Sequence, residues 1–153
     1  MQIRPFEQAD INEFMDTAEC FFRESRNSDY AVNLARYRHL IQASAGVPTV
    51  AVIVAVEDGI IAGYAILNVM IDFTDEPIGD MYQFYVRPEY RGKGAARGLR
   101  DAVVKRFDEW GCPLSHVSAD AGIDDTGNAT LLFRNLWAKA GYSVTGVTMT
   151  RKK

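Results

Sequence analysis

The residues best suited to chemistry lie together between positions 91 and 97, where basic side chains alternate with small ones. The run reads Arg91, Gly92, Lys93, Gly94, Ala95, Ala96 and Arg97. A strand-like segment precedes it and a helix-like segment follows. Helix beginnings expose unpaired N–H groups and the positive end of the helix dipole, and glycine lets an anion approach the backbone. The stretch predicts a pyrophosphate site. The alternative is a turn kept glycine-rich for packing, but three crowded cations are costly unless an anion neutralises them.

Three phosphate-binding motifs compete for this stretch. A P-loop needs Ser or Thr after its lysine, and here Gly94 follows Lys93. A dinucleotide fingerprint needs a third glycine where Arg97 stands, and it normally opens a βαβ unit. The third motif, Q/R-x-x-G-x-G/A, is matched at all three specified positions by residues 91–96. The stretch therefore resembles the pyrophosphate loop of the GNAT superfamily of acetyl-CoA-dependent N-acetyltransferases.

The resemblance extends beyond this loop. Residues 86–90 are similar to the family's V-x-P-x-Y lead-in, residues 59–67 to its third strand, and residues 132–142 to its last helix with an aromatic residue after glycine. The resemblance implies a transferase of the acyltransferase class that takes acetyl-CoA as cosubstrate, with no metal. It also implies direct attack by a primary amine, without a covalent acyl-enzyme.

The resemblance also assigns residues to the cosubstrate. The pyrophosphate would lie on the amides of Gly92 to Arg97, and the pantetheine arm would pair with the backbone of Phe84, Tyr85 and Val86. Asn128 resembles the family's asparagine that hydrogen-bonds the arm, although a helix N-cap explains this residue equally well.

The proton chemistry is assigned less directly. Asp80 occupies the position where family members place a catalytic glutamate, and Tyr82 points to the same face by strand alternation. A solvated carboxylate at a loop end is the alternative for Asp80. The family's tyrosine acid is replaced by Trp137, whose indole cannot serve as that proton donor. Tyr142, Tyr85 or solvent could replace it, and the sequence does not choose between them.

Hydrophobic spacing predicts the elements that must position these residues. A short strand is followed by two helices, two hairpin strands, a third strand, the helix after the glycine turn, another strand, a helix and a last strand. The predicted ranges are 2–5, 11–22, 30–41, 50–56, 60–71, 81–86, a helix ended by Gly111, 114–119, 128–140 and 142–150. The order β-α-α-β-β-β-α-β-α-β predicts a single α/β domain over residues 1–153, with a mixed central sheet and flanking helices.

Composition sets limits on the class of protein. Of 153 residues, 48% are hydrophobic and 24% charged, which is typical of a globular domain. The net charge of −3 argues against general nucleic-acid binding, and the longest apolar run is too short to cross a membrane. Two cysteines and two histidines at unrelated positions form no zinc motif. We expect a cytoplasmic protein, with a homodimer through residues 144–150 as an analogy to relatives.

The acceptor is less well defined than the acetyl donor. An acidic segment at residues 72–79 suits a small cationic amine, although ordinary solvation explains the same charges. A protein amine is an alternative acceptor. A catalytically weak acyl-CoA-binding module is the rival from another class, because the usual tyrosine is missing. A nucleotide-binding oxidoreductase is a more distant alternative.

Overall fold

The structure is a computed structural model, and it describes residues 1–25, 31–71, 75–118 and 128–144, leaving aside the side chains of 128–130. Its helices and strands follow the predicted order as far as the last helix. They are β1 (Gln2–Pro5), α1 (Ile11–Glu24), α2 (Leu34–Ser44), β2 (Val50–Glu57), β3 (Ile60–Ile71), β4 (Pro77–Val86), α3 (Ala95–Glu109), β5 (Leu114–Val117) and α4 (Asn128–Ala138).

The five strands form one sheet in the order β1-β2-β3-β4-β5. All neighbours are antiparallel except β4 and β5, which run parallel because α3 crosses over between them. The predicted α/β fold with a mixed sheet and flanking helices is confirmed. Of the predicted last strand, residues 142–144 have no regular structure, and residues 145–150 lie outside the described residues.

The predicted hairpin between β2 and β3 is confirmed, and its turn explains the register. Asp58 and Gly59 have φ angles of 52° and 82°. Two successive positive φ angles give the turn that matches the twist of antiparallel strands, which is why glycine is favoured there. The β4 strand begins at Pro77, four residues before the predicted position 81, so the acidic loop is shorter than expected.

Two hydrophobic cores lie on opposite faces of the sheet. Side chains of α1 and α2 pack against one face, where Phe14, Tyr64 and Tyr85 are buried together. Side chains of α3 and α4 pack against the other face, where Met81 and Phe84 are buried. We call these the α1–α2 face and the α3–α4 face. The two cores assign a direction to each side chain of β4, the strand that carries most of the candidate site.

Candidate active site

The turn before α3 has the conformation that its glycines allow. Gly92 and Gly94 have φ angles of 77° and 97°, a region that side chains with a Cβ rarely enter. A Cβ built on either glycine would meet no atom within 4 Å. Glycine is therefore required by the backbone and not by crowding, and open space lies directly beside the turn.

The amides of this turn are largely free. The first helical bond of α3 runs from the Gly98 N–H to the Gly94 carbonyl at 2.9 Å, and the Lys93 N–H is used inside the turn, 3.3 Å from the Tyr90 carbonyl. Within the described ranges, five amides between positions 92 and 97 make no hydrogen bond. They belong to Gly92, Gly94, Ala95, Ala96 and Arg97. Since they lie at the positive end of the α3 dipole, they form a ready site for an anion.

The three cations of the turn have different surroundings. The Arg91 guanidinium donates to the Val86 carbonyl at 3.0 Å and to the Glu24 carboxylate at 2.5 Å. The Lys93 ammonium lies 5.5 Å from the centre of the Tyr90 ring. Arg97 is exposed, and within the described part of the chain its guanidinium has no hydrogen bond or ion pair. Arg91 therefore holds the turn in place, while Lys93 and Arg97 remain able to meet an anion.

A β-bulge interrupts β4 at the candidate catalytic residues. Ile66 of β3 pairs with Gln83 and the next residue pairs with Met81, so Tyr82 is the extra residue. As a result Met81 and Phe84, three positions apart, both face the α3–α4 core. A bulge bends its strand and redirects the side chains around it. The strict alternation assumed from the sequence therefore ends at this point.

The described pairing between β4 and β5 ends where the bulge begins. Their ladder runs from Ile78 opposite Leu114 to Met81 opposite Val117, and one further bond joins the Ser118 N–H to the Met81 carbonyl at 3.0 Å. Beyond this bond, no described residue pairs with β4 on that side.

The backbone groups at the end of β4 alternate between β3 and the opposite side of the strand. The Arg87 N–H bonds to the Ala62 carbonyl of β3, so alternation directs the backbone groups of Phe84 and Val86 away from β3 and those of Tyr85 toward it. Two of the three residues expected to hold the pantetheine arm thus present their backbone on that opposite side. Arg91 occupies one of these groups, the Val86 carbonyl.

Asp80 lies one position before the end of the described β4–β5 ladder, in a row of polar residues. It is opposite Asn68 on β3 and opposite His116 on β5. Its neighbours Gly79 and Met81 face α3, because a Cβ on Gly79 would meet Phe107 and Met81 belongs to that core. Asp80 therefore faces the α1–α2 side. Burial raises the pKa of the Asp80 carboxyl, and the charge of His116 offsets part of that rise.

Two tyrosines, Tyr82 and Tyr37, lie on the same α1–α2 face as Asp80. Tyr82 is 43% exposed, and burial followed by the Asp80 charge raises the pKa of its hydroxyl. The Tyr37 hydroxyl of α2 donates to Gln83 Oε1 at 2.5 Å, and burial raises the pKa of Tyr37. These contacts connect α2 to the bulge.

The residues of the last helix differ in what they offer. Trp137 is 2% exposed and packs edge-on against Phe84 and Tyr142, which makes it a core residue. The Tyr142 hydroxyl lies 2.6 Å from Ser115 Oγ, and burial raises the pKa of Tyr142. Asn128 is the first residue of α4, and its side chain lies outside the described part of the structure.

Residues 11–141 match the Acetyltransferase (GNAT) family. The chain belongs to this family. The resemblance inferred from the turn is thereby confirmed, and the protein is an acetyl-CoA-dependent N-acetyltransferase. No protein of curated function matches the sequence.

Several solved structures share the fold of this GNAT acetyltransferase at low identity. An aminoglycoside antibiotic 6'-N-acetyltransferase from Acinetobacter haemolyticus has a TM-score of 0.72 and 15% identity, over 100% of this chain and 98% of that one. A putative acetyltransferase from Agrobacterium tumefaciens has a TM-score of 0.75 and 14% identity, over 100% of both chains. An aminoglycoside acetyltransferase from an uncultured soil metagenomic sample, in complex with sisomicin, has a TM-score of 0.70 and 20% identity. The match covers 99% of this chain and 96% of that one. At these identities the likeness establishes the fold.

The described residues of this GNAT acetyltransferase fit acetyl-CoA in two places. Free amides and open space at the turn suit the diphosphate, and the unpaired edge of β4 suits an extended arm with amide groups. No helix among the described residues is long and apolar enough to span a membrane. No group of three His, Cys, Asp or Glu side chains in the same residues is arranged to hold a metal ion.

Four residues with a place in or beside the site were not predicted as site residues. Glu24 lacks a sequence signal because its partners are 61 and 67 positions away. Tyr37 and Gln83 meet across 46 positions. His116 has a weak signal, since a histidine in the short strand β5 stands out only once its register with Asp80 is known.

Proposed function

We propose that this GNAT acetyltransferase transfers an acetyl group from acetyl-CoA to a small cationic amine by direct attack of the amine nitrogen. One observation carries the proposal. Asp80 faces the α1–α2 face near the end of the described β4–β5 pairing, and later residues of the same strand have backbone groups without a described partner. The candidate base and the backbone that would hold the pantetheine arm thus lie in one strand, on either side of the bulge at Tyr82.

The donor side rests on the backbone of the turn and of β4. The amides of Gly94, Ala95 and Ala96 would hold the diphosphate, with Lys93 and Arg97 adding charge. Phe84 and Val86 would pair with the pantetheine arm. A backbone N–H at this edge would also polarise the thioester carbonyl, because a fixed donor stabilises the negative charge that develops on that oxygen.

The acceptor side rests on Asp80 and the tyrosines beside it. A carboxylate attracts an ammonium ion and then accepts its proton, because an amine attacks only when neutral. The exposed Asp75, two residues before β4, would add negative charge for a cationic substrate. Aminoglycosides, named for several structures of the same fold, are polycationic amines of this kind.

The departing thiolate of CoA needs a proton in exchange. Tyr142, hydrogen-bonded to Ser115, and Tyr82, exposed beside Asp80, are the candidate donors. The raised pKa of both hydroxyls keeps them protonated at neutral pH. Trp137 in the core offers no such proton, which favours the second candidate function, a weakly active acyl-CoA-binding protein.

Release of free CoA thiol over a panel of amines tests the proposal. The panel contains sisomicin, spermidine, free amino acids and a lysine-containing peptide, each compared with acetyl-CoA alone. We expect release to rise with a polycationic small amine and to saturate with its concentration. Tight acetyl-CoA binding without any amine-stimulated release would contradict the transferase reading and favour the binding protein. Stimulation by the peptide alone would replace the small amine with a protein acceptor.

A further inference from the structure

A second proton carrier lies beside the candidate base. His116 of β5 is directly opposite Asp80 of β4 in the parallel ladder, so their backbones are about 5 Å apart. Opposed residues of neighbouring strands project from the same face of a sheet. On β5, Ser115 contacts Tyr142 and Val117 packs into the α3–α4 core. His116 between them therefore faces the α1–α2 side, as Asp80 does.

The two side chains differ in their access to water. Asp80 is half-buried between Asn68 and His116, whereas His116 is exposed. The other ionisable groups of β4 on this side are Tyr82 and Tyr85, and α2 contributes Tyr37, which interacts with Tyr82. Burial raises the pKa of all three tyrosines, so they stay protonated at neutral pH. His116 is thus the imidazole that the register places next to Asp80, and imidazole is the side chain that proteins use as a proton shuttle.

The reaction itself produces a proton that must leave the site. An ammonium substrate loses two protons when its nitrogen forms the new C–N bond and the C–S bond breaks. One proton ends on the departing sulfur and the other ends in bulk water. A half-buried carboxyl that has accepted a proton must pass it on before the next turnover, and a solvent-facing imidazole is a better proton acceptor than water.

We propose that His116 relays the proton from Asp80 to solvent during acetyl transfer, an inference that rests on the proposed function. The ammonium gives a proton to the Asp80 carboxylate, the carboxyl gives it to the neutral His116 imidazole, and the imidazolium releases it to water. No direct hydrogen bond joins these two described side chains, so the relay includes a water molecule that carries the proton between them. The relay consumes no oxidant or other co-reactant.

The chain offers a matched control for the test. Its only other histidine, His39, is exposed on α2. We expect His116→Gln to lower kcat at pH 7 about tenfold and to leave both KM values within about twofold. The loss is smaller than the roughly 10²–10⁴-fold typical of a missing acid or base, because water still accepts protons slowly. We expect His39→Gln to behave as the unmodified protein does.

Two further readouts separate a relay from a structural role. Free imidazole in the buffer should restore part of the rate of His116→Ala, since it can occupy the vacated space and carry the proton. Carbon NMR of the Asp80 carboxyl reports on the pair without turnover. Because the His116 charge lowers the pKa of Asp80, His116→Gln should raise that pKa, whereas His39→Gln should leave it unchanged.

The outcomes distinguish this inference from the proposed function. A kcat for His116→Gln that equals that of His39→Gln, without imidazole rescue of His116→Ala, would overturn the relay while the transferase activity stands. If the unmodified protein shows no amine-stimulated thiol release with any amine, the proposed function is wrong and the relay is wrong with it.

Discussion

Arg91 Nη2 lies 2.5 Å from Glu24 Oε2, joining the end of α1 to the turn that opens α3. The other oxygen of the same carboxylate accepts a hydrogen bond from the Tyr85 hydroxyl at 2.6 Å. Glu24 thus connects a helix, a strand and the glycine turn before α3. Arg91, the first cation of the family motif, therefore fixes the position of the turn through its bonds to protein groups.

We expect Glu24→Gln to lower the free energy of unfolding by about 1 kcal/mol, measured by urea denaturation. A partly exposed ion pair contributes little, but the Tyr85 hydroxyl depends on the same group. Glu19→Gln is the control, because Glu19 pairs with Arg23 on the solvent side of the same helix. We expect that change to stay within about 0.5 kcal/mol. Equal losses in both variants would show that Glu24 holds nothing beyond a surface pair.

Gly94→Asp is expected to abolish acetyl-CoA binding, measured by isothermal titration. The new carboxylate would stand beside the free amides of the turn and repel the diphosphate. Since the φ angle of 97° strains any side chain, Gly94→Ala carries the strain without the charge and serves as the control. We expect the alanine variant to bind more weakly than the unmodified protein but measurably. Equal affinities of the two variants would place the diphosphate elsewhere.

Arg97→Ala should raise the acetyl-CoA dissociation constant about three- to tenfold, and should flatten its dependence on salt concentration. Arg97 is the exposed cation of the turn without a partner among the described residues, so an anion is the group for it to meet. Lys105→Ala on the same helix is the control, since Lys105 pairs with Glu109 away from the turn. An unchanged dissociation constant in Arg97→Ala would remove this residue from the donor site.

Asp80→Asn should lower the amine-dependent kcat about 10²-fold near neutral pH. In the unmodified protein the base form of Asp80 predominates above its pKa, so the rate falls as the pH drops through that value. Burial raises this pKa, so the fall comes at higher pH than for an exposed aspartate. The variant should lack this acidic limb, and its deficit should shrink at alkaline pH, where the amine is already neutral.

Asp75→Asn provides the matched control for Asp80, because Asp75 is an exposed carboxylate before the same strand. Its pH–rate profile should keep the acidic limb. Two superimposable profiles for Asp80→Asn and the unmodified protein would exclude Asp80 as the base.

Gly63→Ala and Gly98→Ala should differ in stability, although both new methyl groups would touch a neighbour. A Cβ on Gly63 would lie 2.5 Å from the Tyr85 carbonyl oxygen, and backbone of the central sheet cannot move aside. We expect a loss of about 2 kcal/mol or more by urea denaturation. A Cβ on Gly98 would meet only the end of the Ile3 side chain, and alanine favours a helix, so that loss should stay below about 1 kcal/mol. The reverse order would contradict the packing of β3 against β4.

The parts of the fold that sequence predicts best are those set by local interactions. The hairpin at Asp58 and Gly59 follows from turn chemistry, and the glycine turn before α3 follows from the positive φ angles that only glycine adopts freely. The end of α3 at Gly111 is equally local, with a φ angle of 68°. Each depends on a few adjacent residues, and each is confirmed.

The parts that sequence does not predict depend on distant partners or on a single inserted residue. Strict alternation along β4 cannot reveal that Tyr82 is an extra residue, because the bulge is defined only against β3. The role of Arg91 is likewise hidden, since its carboxylate partner is 67 positions earlier. The motif predicts a cation at the turn, but the surrounding structure decides whether that cation meets phosphate or protein.

The bond from Arg91 to the Val86 carbonyl has a consequence for solubility. An unpaired strand edge inside a sheet is a template on which a second polypeptide can pair, and natural proteins protect such edges with charged side chains. Arg91 covers one acceptor of this edge with a charged group tethered to the neighbouring helix. We expect a variant without the Arg91 guanidinium to self-associate more readily. The side chain that supports the turn thus also lowers the tendency of this strand edge to aggregate.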